Sequence, residues 1–283
     1  MIILNYNASK AVITLYQQIH ALRKGYPDGP VYLVVDNASR PEEVSLLKVF
    51  FAECTDVHLI LSESNGGYAR GNNLGLKKAA ELGLEYCLIA NSDIAFLTAN
   101  FLEQLIEAAR TLPDCGLIGP RVVLPNGNPQ GPLPVSGIIN SVMPLPLARC
   151  NRTKPVYATV GCSIFGSTEV FHQIGLLDEA TFLYREENIL AERLSHHGLL
   201  WYYLPDVVVR HDHVRKMDSI SNILLHKKFE AQSTVHYFRC YKNRSEAAVF
   251  AYRLLLAAKV AAYIFISLGF RMAERFSRSS VTT

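Results

Sequence analysis

Apolar residues fall into short, near-continuous runs separated by stretches with helical spacing. Ile2 to Leu4, Val31 to Val35, Val57 to Leu61 and Tyr86 to Ala90 have the length and composition of buried parallel strands. Between the first two, Val12, Leu15, Ile19 and Leu22 recur at helical spacing. Ser9 has the chemistry of that helix's N-cap, and Gly25 with Pro27 is expected to stop it. Ser39 and Glu42 have capping-box spacing, and Pro41 suits the first turn of a second helix. Tyr68 to Leu82 reads as a third helix closed by Gly83, and Phe101 to Leu112 as a fourth ended by Pro113. Strands alternating with helices at this pace predict a parallel sheet with right-handed crossovers.

The strands end abruptly in polar residues. In Tyr86-Cys87-Leu88-Ile89-Ala90-Asn91-Ser92-Asp93 the final triplet is the only polar break before Ile94, Ala95 and Phe96. Asp93 then falls at the carboxyl edge of the sheet, where open α/β folds bind ligands. A carboxylate flanked by an amide and a hydroxyl is hard oxygen ligation, suited to Mg²⁺ or Mn²⁺ carrying a phosphate. Asn, Ser and Asp also open ordinary turns. The first two strands end the same way, in Asn5 and Asn7 and in Asp36 and Asn37. Three polar ends converging on one edge predict a nucleotide-sized polar cleft. Asn65-Gly66-Gly67-Tyr68 precedes a helix and could bring backbone N–H groups to phosphate. It lacks the spacing of a Walker loop or a dinucleotide fingerprint, and a plain turn has the same composition. Arg70 reads as a solvated side chain.

The second half is less regular. Leu117 to Leu124 reads as a strand, and residues 125–155 carry seven prolines with little periodicity. A loop of that length in a compact domain is functional or a surface excursion, and the functional reading is an acceptor-side flap. Val156 to Phe165 reads as a strand, with Ser167 capping a short helix that runs to Gly175. Phe182 to Asn188 leads into a helix from Ile189 to His197. Glu186 and Glu187 stand at its start, where the helix dipole favours carboxylates. Trp201 to Leu204 and Val207 to Val209 read as two short strands.

Composition narrows the class. At 49% hydrophobic and 19% charged, the 283 residues can bury a large core in one or two domains. The net charge of +3 does not call for a nucleic-acid partner. The six cysteines are scattered without paired short spacing, which argues against a zinc site or disulfide framework and fits a reducing compartment. No basic-then-apolar signal opens the chain, and the first strand starts with almost no lead-in. Arg210, Arg215, Lys216, Lys227, Lys228, Arg239, Lys242 and Arg244 form a basic tract before the apolar stretch Ala247 to Phe270. Arg253 and Lys259 count against a membrane span of about 20 apolar residues. The pattern fits a helix lying on an anionic membrane surface, a core-packing helix or an oligomer contact.

Several of these segments, in order, resemble one family. Leu4-Asn5-Tyr6-Asn7, Val35-Asp36-Asn37-Ala38-Ser39, Asn65-Gly66-Gly67-Tyr68-Ala69-Arg70-Gly71-Asn72-Asn73 and Ala90-Asn91-Ser92-Asp93 are similar to the inverting family 2 glycosyltransferases of GT-A fold, in the bacterial rhamnosyltransferase-like branch. The match continues through Thr159-Val160-Gly161-Cys162, Leu177-Asp178-Glu179, Phe182 to Glu187, Pro205-Asp206 and Val209-Arg210-His211. It covers roughly residues 1–213. The resemblance implies an α/β fold, a Rossmann-like, mostly parallel sheet flanked by helices. Residues 1–124 would be its nucleotide-sugar half and 125–213 its acceptor and catalytic half, with 214–283 a helical, membrane-associating extension.

Residue by residue, the resemblance places Asp36 on the uracil or thymine ring of the donor and Tyr6 and Asn7 in the base pocket. Asn65, Gly67 and Asn72 flank the nucleotide, and Asn91 and Asp93 form the metal motif. Asp93 becomes the ligand of Mg²⁺ or Mn²⁺, with His211 near the metal and diphosphate. Glu187 stands where the family has its general base, with Glu186 before it. Three departures stand out: Glu187 replaces an Asp, Ile189 replaces an acid, and Arg185 replaces a small residue. The expected activity is transfer of a sugar such as rhamnose from a UDP or dTDP donor to a glycan or lipid-linked saccharide in surface-polysaccharide synthesis. The expected location is cytoplasmic, peripheral on the inner face of a bacterial membrane, with a homo-oligomer possible. A degenerate member acting as a membrane scaffold is the alternative. A sugar nucleotidyltransferase would need a glycine-rich basic loop where Asn5-Tyr6-Asn7-Ala8 stands.

Overall fold

The computed structural model describes residues 1–22, 29–135, 150–212 and 220–279. Residues Gly25, Pro27, Arg215, Lys216 and the centre of the proline-rich flap lie outside them. Two compact units divide the chain, one of residues 1–135 and 146–214, the other of residues 136–145 and 215–283.

The first unit is an α/β sheet with helices on both faces. The strands are β1 (Ile2–Asn5), β2 (Tyr32–Asp36), β3 (Val57–Leu61), β4 (Tyr86–Asn91), β5 (Ile94–Phe96), β6 (Cys115–Val123), β7 (Pro129–Gln130), β8 (Lys154–Val156), β9 (Ser163–Ser167) and β10 (Leu200–His211). Their order is β3-β2-β1-β4-β9-β6-β10-β5, with β7 on β6 and β8 on β10. The predicted parallel block is present as β3-β2-β1-β4, and β6 with β10 is a second parallel pair. β9 joins the two blocks antiparallel to both.

Period-two alternation sorts each central strand between two cores. Ile3, Tyr32, Val34, Leu88 and Ala90 face one side, under α1 (Ser9–Leu22), α2 (Pro41–Phe51) and α4 (Phe101–Thr111). Ile2, Leu33, Val35, Cys87 and Ile89 face the other, under α3 (Gly67–Glu81), α5 (Thr168–Gln173) and α6 (Glu186–His196). Burial on both faces explains why these strands read as continuous apolar runs. α3 packs its glycines directly on the side chains of β1. A Cβ on Gly71 or Gly75 would fall 2.4 Å from Leu4 or 2.5 Å from Ile2.

Several local expectations are corrected. Ser9 is the first helical residue rather than the cap, and its hydroxyl donates to Glu43 O at 3.0 Å. Asn5 Oδ1 accepts from the Ala8 N–H instead. The Ser39–Glu42 capping box does not form: Arg40 is the cap of α2 without a side-chain bond, because Ser39 Oγ is taken by Asn7 N and Asn5 Nδ2. The segment Val156 to Phe165 is not one strand. It leaves the ladder between β8 and β9, and Ala158 O accepts from Leu133 N at 2.8 Å. The two short strands after Trp201 are one, β10, with a bulge between Leu204 and Val208. Thr98 Oγ1 spans that bulge, donating to Asp206 O and accepting from Val208 N. Ser167 does cap α5, accepting from Val170 N.

The second unit, where described, is two helices, α7 (Ile220–Cys240) and α8 (Glu246–Ser279). Phe238 meets Tyr252 edge to face at 5.4 Å, and Arg239 pairs with Glu246 across the turn. Phe250, Leu254 and Leu255 remain exposed. Among the described residues no helix is long and apolar enough to cross a membrane.

Candidate functional site

The carboxyl ends of β1, β2 and β4 are adjacent, as their polar endings predict, because register pairs Asn5 with Asp36 and Leu4 with Asn91. Asn5 is the hub. Its Nδ2 donates to Asp36 Oδ1 at 2.7 Å and lies within reach of Ser39 Oγ at 3.1 Å. Asp36 Oδ2 accepts from Ser39 N at 3.0 Å, so the carboxylate, 1% exposed, is closed into its own turn. Asn7 holds the neighbouring turn at φ 54°, with its Oδ1 accepting from Arg40 N. Tyr6, 53% exposed, is the side chain this edge offers to solvent.

Asn37 links this edge to α3. Its Nδ2 donates to Asn65 Oδ1 and Gly67 O, and its Oδ1 accepts from Gly66 N. Asn65 Oδ1 also accepts from Gly67 N. Gly67 has φ +82°, and a Cβ there would lie 2.1 Å from Phe182 O. Asn72 is fully buried, donating to Tyr68 O, while its Oδ1 has no hydrogen-bond partner among the described residues. Arg70 is exposed, as expected.

Asp93 lies in the turn between β4 and β5, and β10 brings His211 to it. His211 Nε2 is 3.4 Å from Asp93 Oδ1, and the two backbones are tied by Asp212 N donating to Asp93 O at 2.8 Å. His211 is 7% exposed, and its Nδ1 lies 2.8 Å from Gln130 Oε1. Two ligands at about 2.1–2.3 Å from one cation, near a right angle, stand roughly 3.0–3.3 Å apart, close to the separation seen here. One carboxylate oxygen and one imidazole nitrogen, with Asn91 at the strand end beside them, fit Mn²⁺ or Mg²⁺ that also takes phosphate and water oxygens. No group of three His, Cys, Asp or Glu side chains gathers among the described residues.

The glutamate pair stands at the first turn of α6, behind two consecutive left-handed residues, Tyr184 at φ 75° and Arg185 at φ 74°. Non-glycine residues in that region store of order 1–3 kcal/mol each, and such strain concentrates at functional sites. Adjacent helix positions differ by about 100°, and the two carboxylates separate accordingly. Glu187 is half-buried, and its Oε1 accepts from Gly161 N at 2.9 Å. Glu186 is 6% exposed, and its Oε1 has no partner among the described residues. Burial first, and then the charge of Glu187, push the Glu186 carboxyl up to about 8. Burial also raises Glu187, against the pull of backbone N–H groups, Gly161's among them, and of Arg185. Near neutrality the Glu186 carboxyl therefore keeps its proton.

Cys162 follows Gly161 in the chain, and its O accepts from Asn91 N at 2.9 Å. Its thiol is raised by burial first, then by Asp93, then by Glu187. Tyr68 OH donates to Gly161 O at 2.6 Å, which joins α3 to the loop that holds Glu187. Gln130, Tyr68 and Gly161 were not among the expected site residues, whereas Asn37 stood in the polar end of the second strand. Tyr68, Gly161 and Asn37 lie inside motifs the sequence displays. Gln130 sits in an aperiodic proline-rich stretch that carries no signal.

Residues 1–175 match the sequence model of a family described as glycosyl transferase family 2. The low-salt glycan biosynthesis hexosyltransferase Agl10 of Haloferax volcanii is 31% identical over 192 residues, 66% of this chain and 58% of that protein. An N-acetylglucosaminyl-diphospho-decaprenol L-rhamnosyltransferase of Mycobacterium tuberculosis is 26% identical over 200 residues, 61% of this chain and 65% of that protein. The chain thus spans about three fifths of the length of these relatives. The structure of GalNAc-T7 with UDP, GalNAc and Mn²⁺ superposes at a TM-score of 0.60 and 15% identity, over 83% of this chain and 49% of that one, a likeness of fold.

Proposed function

The chain belongs to glycosyl transferase family 2, and from that premise we propose that it moves a sugar from a UDP or dTDP donor to a hydroxyl of a glycan or lipid-linked saccharide, inverting the anomeric carbon. The observation that carries the reading is the Asp93–His211 pair at 3.4 Å beside the Gly161-Cys162 segment, whose Gly161 N donates to Glu187 Oε1 and whose Cys162 O accepts from Asn91 N at 2.9 Å. Relatives named as hexosyl- and rhamnosyltransferases support the sugar class.

In this reading Tyr6 and Asn7 take the base, beside the Asp36 turn, and Asn65, Gly67 and Asn72 line the path to the diphosphate. Asp93 and His211 would hold Mn²⁺ or Mg²⁺, which when bound would offset negative charge growing on the leaving diphosphate. Glu187 faces the acceptor. Its Oε1 is anchored by Gly161, and its other oxygen takes the proton as the acceptor oxygen bonds to the anomeric carbon. The bond to the diphosphate oxygen breaks in the same step, with its electron pair leaving on that oxygen. A positioned general base contributes about 10²–10⁴ in rate. The extra methylene of Glu187 relative to aspartate is accommodated here by the contact with Gly161, where a Cβ would fall 2.6 Å from Oε1.

The exposed Phe250, Leu254 and Leu255 of α8, beside Arg253 and Lys259, suit an anionic membrane surface, and a lipid-linked acceptor would be met there, on the cytoplasmic face. The test is calorimetric titration with UDP, dTDP and GDP, with and without Mn²⁺ or Mg²⁺, against Asp93→Asn. Metal-dependent binding of UDP or dTDP that the variant loses supports the reading. A folded protein that binds no nucleotide is instead a scaffold.

A further inference from the structure

Gln130 belongs to β7, a two-residue strand whose backbone pairs with Val122 of β6. That ladder places its side chain beside β10, with Oε1 2.8 Å from His211 Nδ1. The ring is buried, and its other nitrogen lies 3.4 Å from Asp93 Oδ1, beyond the usual 2.7–3.2 Å of an N–H···O bond. In a neutral imidazole one nitrogen carries the proton and the other a lone pair. A carbonyl-type oxygen at 2.8 Å from Nδ1 assigns the proton to Nδ1. The Nε2 lone pair then points to the side of Asp93, as ligation of a shared cation requires.

We propose that Gln130 is a positioning residue for the cation site: it accepts the Nδ1–H of His211 and holds the ring in the tautomer and orientation that present Nε2 beside Asp93. The inference rests on the reading of Asp93 and His211 as that site. A carboxamide does this without adding charge, whereas a carboxylate would make the ring more basic. Neither the glycosyltransferase motifs nor the spacing of acids and histidines points to Gln130. Only the ladder between β6 and β7 brings it to His211.

The experiment uses the full chain, labelled with ¹⁵N in histidine and free of metal, at a pH where His211 is neutral. Its ring-nitrogen shifts should report the Nδ1–H tautomer. In parallel, Mn²⁺ affinity is read by electron paramagnetic resonance with UDP or dTDP present, for the wild type, Gln130→Leu and Gln130→Glu. Gln130→Leu should mix the tautomers and weaken Mn²⁺ by about 10–100-fold, the usual effect of removing such a partner. Gln130→Glu should keep the Nδ1–H tautomer and recover most of the affinity. A wild-type ring protonated on Nε2, or a Gln130→Leu protein that binds Mn²⁺ as the wild type does, overturns the inference and leaves the site standing. A wild type with the Nδ1–H tautomer that binds no Mn²⁺ overturns the cation site, and the inference falls with it. The wild-type shifts need no variant, so they decide even where Gln130→Leu does not fold.

Discussion

Tyr68 and Glu187 meet through a single glycine. The Tyr68 hydroxyl donates to Gly161 O at 2.6 Å, and Gly161 N donates to Glu187 Oε1 at 2.9 Å. Tyr68 sits one residue into α3, whose start abuts Phe182, while Glu187 sits one residue into α6. Helix α3 is thereby fastened to the loop that holds Glu187. Tyr68→Phe deletes the hydroxyl and little else. Loss of a net hydrogen bond costs about 1 kcal/mol of stability. A displacement of about 1 Å at a catalytic group can cost on the order of 100-fold, and a partial loosening should cost about tenfold in kcat with the donor Kd unchanged. Steady-state kinetics beside calorimetry separates the two quantities. An unchanged kcat would show that the Gly161 loop holds its place without the tyrosine.

Glu187→Gln keeps the volume and can still meet the Gly161 N–H through its carbonyl oxygen. It cannot take a proton. Transfer should fall by about 10²–10⁴ while nucleotide binding persists. If Glu186→Gln shows the loss and Glu187→Gln does not, the base is the buried partner and the roles are reversed.

Glu186 gives the fold a pH dependence of known sign. Its carboxyl stands at about 8 in the folded chain against an ordinary value of 4.5, with burial as the main cause. Between those values the folded protein keeps a proton that the unfolded chain has released. The stability this proton supplies is full below about pH 4.5, drains as pH rises, and is gone above about 8. The slope reaches at most about 1.4 kcal/mol per pH unit for one such group. Glu187, raised in the same direction, adds to it. Glu186→Gln removes one titration, so denaturant midpoints measured from pH 5 to 8 should fall less steeply than in the wild type. Parallel curves would mean that Glu186 stays ionised in the folded state.

The sequence displays this architecture unevenly, for physical reasons. β1, β2 and β4 announce themselves because burial on both faces excludes charge from their interiors, and their polar endings mark the carboxyl edge of the sheet directly. The pairing of Asp93 with His211 is visible only through resemblance, since no local pattern links the turn after β4 to the end of β10. The break after Val156 is hidden because an apolar segment looks the same in a ladder and in a loop that floors a site. The Ser39 capping box fails although its spacing is right: Asn5 and Asn7 compete for the hydroxyl, a tertiary contact that no window of sequence contains. Gln130 is the extreme case, a side chain positioned wholly by its partner strand.

Gly67 packs directly on the Phe182 carbonyl, and it gives a sharp test of the coupling between α3 and the loop before α6. Its φ of +82° is open to glycine and strained for other residues. A Cβ would also fall 2.1 Å from the Phe182 carbonyl oxygen, a backbone atom that cannot rotate away. Relief requires α3 and the loop leading to Glu186 to separate, which breaks the Tyr68 N–H bond to Phe182 O, 2.9 Å in the wild type. Strain of about 1–3 kcal/mol plus a lost hydrogen bond of about 1 kcal/mol predicts that Gly67→Ala lowers stability by roughly 2–4 kcal/mol. The loss should not stay local. Asn37 Nδ2 donates to Gly67 O, so the turn after β2 shifts with the loop before α6. Gly67→Ala should therefore weaken nucleotide binding and lower kcat together, whereas Tyr68→Phe lowers kcat alone. Denaturant titration, calorimetry and turnover on the two variants side by side check that contrast. A Gly67→Ala protein with wild-type nucleotide affinity would show that the donor edge is held independently of the catalytic loop.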